Sequence, residues 1–351
     1  MMMPAKKFTL GVIAALGLLL FLFPLVTSML PKTEGVEELT GSLRTSFEPA
    51  ALAQTRTDMD TIQAMADQLQ TETLPALPNA LAMTPEQFQS YMGENFPQVT
   101  SGISQLDTIL PKFQALVTGL ETQAPNFRSA DQIPTNFLPS TTVPFLFYVP
   151  GAVLFLVAGG ALIVRGDQRR TSLAHAALLT ATAVGAVFII APLLLSVPQK
   201  AHATDELTGA FATVFTAEGA AAVRADMNVI QDMSDQLQEQ TLPALAAALK
   251  MDPAQFQNFM AQSFPDVATG VGALDTVLPR FQGLVGGIES NVGSFQLAAS
   301  IPTSHTATTA LTLWFLVPGA VLVVVGVLGL AVREPGRTPQ PRPRERTLAV
   351  S

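Results

Sequence analysis

The sequence predicts an all-α membrane protein with four transmembrane helices and two homologous helical-bundle ectodomains, a tandem parallel repeat with pseudo-two-fold symmetry. Three observations lead there: four long apolar stretches almost free of charge, a self-alignment at a shift of 168 residues, and apolar residues spaced three and four apart between the stretches.

The stretches are residues 8–30, 143–164, 173–197 and 311–332, each 22 to 25 residues long. About 20 residues, rising 1.5 Å each, cross the roughly 30 Å of hydrocarbon in a bilayer. Hydrophobic residues make up 48% of the 351-residue chain, more than a soluble protein of this size needs. Lys6 and Lys7 precede the first stretch as they would in a signal peptide. That stretch exceeds a usual signal's apolar region, and Thr27-Ser28-Met29-Leu30-Pro31 offers no small-x-small cleavage site. It reads as an uncleaved anchor.

Orientation follows from Lys and Arg. Lys6, Lys7, Arg165, Arg169, Arg170 and the five arginines from Arg333 to Arg346 all flank the stretches on one side, the expected cytoplasmic side. The two long loops carry a net −15 and the inner segments +7. The expected plan is an N-terminus and first span over 1–30, an extracytoplasmic domain over 31–142, a second span over 143–165, and a cytoplasmic loop over 166–172. A third span over 173–197, a second extracytoplasmic domain over 198–308, a fourth span over 309–332 and a disordered cytoplasmic tail over 333–351 complete it. The expected location is the plasma membrane, with both termini cytoplasmic. An acidic exterior repels nucleic acid, so no nucleic-acid partner is expected. The chain has no cysteine, which excludes disulfides and thiolate metal sites.

The repeat is gapless. Met65-Ala-Asp-Gln-Leu-Gln matches Met233-Ser-Asp-Gln-Leu-Gln, Leu106-Asp-Thr-Ile-Leu-Pro matches Leu274-Asp-Thr-Val-Leu-Pro, and 31 of 53 positions are identical from Met65 to Val117. Each unit is span, loop domain, span, so each crosses the membrane twice and both keep one orientation. The chain reads as a covalently joined dimer.

In the loop domains, Ile103, Leu106, Leu110, Phe113, Val117 and Leu120 form an a/d seam that Val271, Leu274, Leu278, Phe281, Val285 and Ile288 repeat. Met59, Ile62, Met65 and Leu69 suggest a second helix. Thr84-Pro-Glu-Gln and Asp252-Pro-Ala-Gln are helix starts. Pro75 and Pro243 should end or bend the helix before them, and Pro111 and Pro279 should kink the seam. Each loop domain is expected to be a bundle of three or four helices, packed on itself or on its copy.

Chemistry-bearing patterns are sparse. Asp58, Asp67 and Asp107 recur as Asp226, Asp235 and Asp275; Arg56 and Arg224 lie nearby, and the expectation is a charged helix surface. His175, His202 and His305 are isolated, so no metal is expected. No nucleophile elbow or phosphate loop occurs, so neither an enzyme nor a cofactor is expected. Apart from His175 near one end, the spans carry no ionisable residue, which argues against a proton relay.

Small residues such as Gly11, Ala15, Gly185 and Gly319 suit close helix packing, while Tyr148 and Trp314 suit an interfacial belt. Pro24 and Pro150 lie about 24 Å and 21 Å from the inner ends of their spans. With Pro192 and Pro318 they mark kinks at one depth that could splay the bundle into a vestibule. The expected function is a non-catalytic multi-pass scaffold or adaptor whose paired helical ectodomains bind an envelope or membrane-protein partner. Membrane lipids are further partners, and a homo-oligomer is possible. The alternative is a carrier, or an accessory subunit of a transporter, for lipid or hydrophobic solute. A cavity lined by Met65, Phe88, Phe113 and their copies would favour the carrier; a filled core would favour the scaffold.

Overall fold

The computed structural model describes residues 4–164 and 167–332. Among them the chain is all-helical, and no strand forms beyond two single-pair bridges, Thr135 with Leu138 and Thr303 with Thr306. The first half runs α1 (Pro4–Val26), α2 (Met29–Leu43), α3 (Pro49–Gln68), α4 (Leu74–Ala80), α5 (Pro85–Asn95), α6 (Pro97–Asp131) and α7 (Phe145–Ile163). The second runs α8 (Asp167–Leu194), α9 (Val197–Phe211), α10 (Ala217–Gln236), α11 (Leu242–Ala248), α12 (Pro253–Ser263), α13 (Pro265–Ser290), α14 (Val292–Ala299) and α15 (Ala310–Ala331). The tail expected over 333–351 and the loop residues 165–166 lie outside the described residues.

Local chemistry sets the boundaries. Thr84 Oγ1 accepts from Gln87 N at 3.3 Å while Gln87 Oε1 accepts from Thr84 N at 2.9 Å. Asp252 and Gln255 form the same box before α12. Two of the orphan amides at each helix start are thereby satisfied, with proline at the first position, where no amide is needed. Ala82 and Lys250 adopt left-handed backbone (φ 55° and 59°), and Met83 N reaches Pro78 O at 2.8 Å while Met251 N reaches Ala246 O at 3.0 Å. These are Schellman closures of α4 and α11.

Pro75 and Pro243 do not end their helices. A single wide π turn, Leu69–Thr73 or Leu237–Thr241, leads into α4 or α11. The missing proline amide and the ring's clash with the preceding turn are accommodated by widening that turn. Pro111 and Pro125 lie inside the continuous α6. In the second half the matching helix is interrupted at Asn291 to give α13 and α14.

Four helices, α1, α7, α8 and α15, are long and apolar enough to cross a membrane. The chain packs as two compact units. The span unit draws on the described residues up to Val26, from Pro144 to Leu194 and from Thr312 on; the loop unit comprises Thr27–Val143 and Leu195–Leu311.

Within the loop unit the two halves interleave. α3 packs on α13 and α10 on α6, while α3 with α6 and α10 with α13 are neighbours inside each half. One apolar cluster therefore holds Met59, Met65, Leu110 and Phe113 together with Met227, Met233, Leu278 and Phe281. A Cβ on Gly102 would lie 2.6 Å from Met233 Sδ, and one on Gly270 would lie 2.6 Å from Met65 Sδ. Each glycine thus lets a methionine of the other half reach the backbone of the seam helix. A second cluster is interleaved too: α2 packs on α14 and α9 on α6, burying Leu39, Leu43 and Phe127 with Leu207, Phe211 and Phe295. Whether the loop domains touch was open from sequence; they share their core.

In the span unit, α1 crosses α7 where a Cβ on Gly17 would lie 2.6 Å from Phe155 N and one on Gly151 would lie 2.6 Å from Phe21 N. α8 crosses α15 at Gly185, whose added Cβ would lie 2.6 Å from Gly319 O. Such backbone-to-backbone approach supplies the packing that binds apolar helices in lipid, where burial from water does not. Large side chains elsewhere on these helices, including Val26, Leu156, Ile163 and Leu194, point outward and are exposed.

Candidate functional site

The seam residues Leu106, Leu110, Phe113, Val117 and Leu120, and Leu274, Leu278, Phe281, Val285 and Ile288, are buried, while Ile103 and Val271 are partly buried. Phe113 meets Phe281 edge-on at 5.9 Å between ring centres. The space among Met59, Leu110, Met227 and Leu278 is only about 20 Å³, room for about one water.

The recurrent acids divide. Asp67 and Asp107 sit on exposed faces and accept from Gln63 at 2.7 Å and Gln70 at 3.2 Å. Asp58 departs from the expected surface role: its side chain is only 5% exposed. It accepts from Arg280 Nη1 at 2.5 Å and Gln54 Nε2 at 2.8 Å. Its twin Asp226 accepts from Lys112 Nζ at 2.7 Å. Both bonds join opposite halves. Arg56 and Arg224 turn instead to Glu121 and Glu289 within their own halves, and those carboxylates raise the arginines' pKa through the hydrogen bond first.

Three further sets of ties between halves were not singled out from the sequence. Gln68 Oε1 accepts from Asp266 N and Val267 N at 2.8 and 3.1 Å, capping α13; Gln236 Oε1 accepts from Gln98 N and Val99 N at 2.9 and 3.0 Å, capping α6. Lys32 Nζ donates to Ser300 O and Pro302 O, and Lys200 Nζ to Gln132 O and Pro134 O. Burial pushes both ammonium pKa values down. Glu38 accepts from Ser294 Oγ, and Glu206 from Asn126 Nδ2, each at 2.9 Å. The signal available in the sequence was that the charged or amide member recurs 168 positions on.

Pro24, Pro150, Pro192 and Pro318 lie inside α1, α7, α8 and α15. Each has an aromatic ring within four residues before it, at Phe23, Phe147, Phe188 and Phe315. All four rings are buried, Phe147 completely. Phe147 lies 4.4 Å from Phe315, 5.3 Å from Phe23 and 6.0 Å from Phe188 between ring centres. The four rings thus pack together beside these prolines.

Open space lies on the loop unit. A groove of about 780 Å³ runs between α11, α12 and α13, lined by Leu242, Ala246, Phe256, Met260, Val271 and Gly272 among others, with no charged side chain in its lining. At the matching positions the first half carries Pro78, Asn79, Thr100, Ile103 and Ser104 where the second has Ala246, Ala247, Ala268, Val271 and Gly272. The second half is smaller or less polar at each. A second hollow of about 410 Å³ lies beside Lys112 and Asp226, walled by Phe113, Leu116 and Phe211. Among the described residues no group of three or more histidines and acids is placed to hold a metal.

No family model matches the sequence, and neither a curated protein nor a solved structure matches it.

Proposed function

We propose that this chain is a non-catalytic plasma-membrane scaffold, whose paired helical loop domains lie outside the cytoplasm and hold an envelope or membrane-protein partner. The observation that carries the reading is the uncharged surface groove of α11, α12 and α13, walled in part by Phe256, the copy of Phe88. Exposed groove residues such as Ala247, Gln257 and Gly272 leave it open along its length. That suits the apolar face of a partner helix.

The distribution of Lys and Arg supports termini on the cytoplasmic side. Exchange of equivalent contacts between halves, at Asp58–Arg280 and Asp226–Lys112, supports a parallel repeat about a pseudo-two-fold axis. Asp58, Asp226, Glu38 and Glu206 are engaged in structural hydrogen bonds, which supports a non-catalytic role.

The second reading, a carrier for lipid or hydrophobic solute, draws on the same groove, since its volume lies in the range of small-molecule sites. The test is purification of the full-length tagged protein from its native membrane in mild detergent, with mass spectrometry of what copurifies. A stoichiometric protein is expected. It should be lost from Gly272→Trp, where an added Cβ meets nothing within 4 Å, and retained by Ser104→Trp at the equivalent site. A specific apolar molecule lost from the same variant moves the assignment to the carrier; loss of nothing removes the groove from both readings.

A further inference from the structure

Phe137 is 93% exposed and its neighbour Leu138 47% exposed, in the turn between α6 and α7. The turn is not loose. Lys200 Nζ donates to Gln132 O at 2.8 Å and to Pro134 O at 3.2 Å, and Ser140 Oγ donates to Ile133 O at 3.1 Å. Ser140 N in turn donates to Glu37 Oε2 at 2.9 Å, and Phe137 N to Thr135 Oγ1 at 3.3 Å. The apolar tip is thus presented on a fixed base.

The fold does not require that tip. The second half builds the same turn: Thr303 pairs with Thr306 as Thr135 pairs with Leu138, and Lys32 holds the carbonyls of Ser300 and Pro302. Its tip carries His305 and Thr306 in place of Phe137 and Leu138. Among the described residues little of this chain covers Phe137.

The candidate span containing α7 begins at Ser140, three residues on, and three residues of extended chain reach only about 10 Å. Whatever covers Phe137 must lie that close to the start of a membrane span. A large ring and a leucine on a tethered turn match the boundary between lipid headgroups and acyl chains, where amphipathic and aromatic side chains settle. We propose that Phe137 and Leu138 are an interfacial anchor that enters the lipid surface beside the second span, and that the twin turn of the second half, with its polar tip, does not. The inference rests on the membrane-spanning part of the proposed function.

The test uses full-length protein in phosphatidylcholine vesicles with and without bromine on the acyl chains near the headgroup. Trp314 is the sole tryptophan, so its quenching in the wild type reports the spanning reading by itself. The anchor is read from Phe137→Trp and, separately, His305→Trp, each in a Trp314→Phe background. F137W should emit at shorter wavelength and be quenched at least about twofold more than H305W, as a ring held at the interface is. Equal quenching of the two, emission typical of water at F137W, or blue-shifted emission without quenching, which would mean cover by protein, each overturns the anchor. Failure of Trp314 to be quenched overturns the spanning reading instead.

Discussion

The two halves of this chain are nearly interchangeable inside and different outside. Inside, Met65 lies against Gly270 and Met233 against Gly102, and Gln68 and Gln236 each cap a helix of the opposite half. Outside, Asp58 is closed over by Arg280 while Asp226 stays 18% exposed beside a Lys112 that is 53% exposed. Gly272 in the groove has a bulkier, more polar counterpart at Ser104, and Phe137 has His305 as its counterpart in the repeat. Core positions pack on the opposite half, as Met65 does on Gly270, so a change in one half must suit the other. Surface positions are free of that constraint, and the differences gathered there are where a function that needs only one half would be written.

The largest effect expected tests the shared interior. Leu110→Asp and Leu278→Asp each place a charge in the same cluster, where nothing pairs it. Each should cost roughly 4 kcal/mol or more, and the two costs should be similar. Because the core is common, either variant should strip hydrogen-exchange protection from peptides of both halves of the loop unit in the full-length protein. Protection lost only in the mutated half would mean two independent domains and would break the comparison.

How much of this was legible depends on the distance over which each feature acts. The seam spacing from Ile103 to Leu120, the caps at Thr84 and Asp252 and the span lengths are local patterns that sequence carries directly. The pairing of Asp58 with Arg280 spans 222 positions, and no local spacing encodes it. Arg56, two residues from Asp58, looked the natural neighbour, yet residues two apart on a helix face different ways. At Pro75 the sequence left open whether the helix would end or bend, since proline forbids an ordinary turn, and the chain widens one turn, Leu69–Thr73, instead of ending it. The groove was invisible because it is lined by residues of three separate helices, α11, α12 and α13, whose approach no local spacing encodes.

A middle-sized effect separates the two exchanged ion pairs. Asp58→Asn removes a charge from a buried site that holds both Arg280 and Gln54, and should cost about 1.5–3 kcal/mol, the range for hydrogen bonds to charged groups. Asp226→Asn acts on a pair open to water beside a hollow, and about 0–1 kcal/mol is expected. Chemical denaturation of the two variants under one condition measures the difference. Equal losses would mean that burial does not distinguish the sites.

The smallest effect concerns acid. The Arg224 hydrogen bond, ahead of its charge, holds the Glu289 carboxyl below its usual pKa. A carboxylate with a lower pKa folded than unfolded adds stability above the unfolded value, near 4.3, and loses it as pH falls through the folded one. Glu289 is 36% exposed, so solvent screening keeps the contribution under about 1 kcal/mol. Glu289→Gln should therefore melt slightly below wild type at neutral pH, and the gap should close as pH falls below about 4 and narrow in high salt. A gap unchanged by both acid and salt would assign the loss to packing of the Glu289 stem against α10, not to its charge.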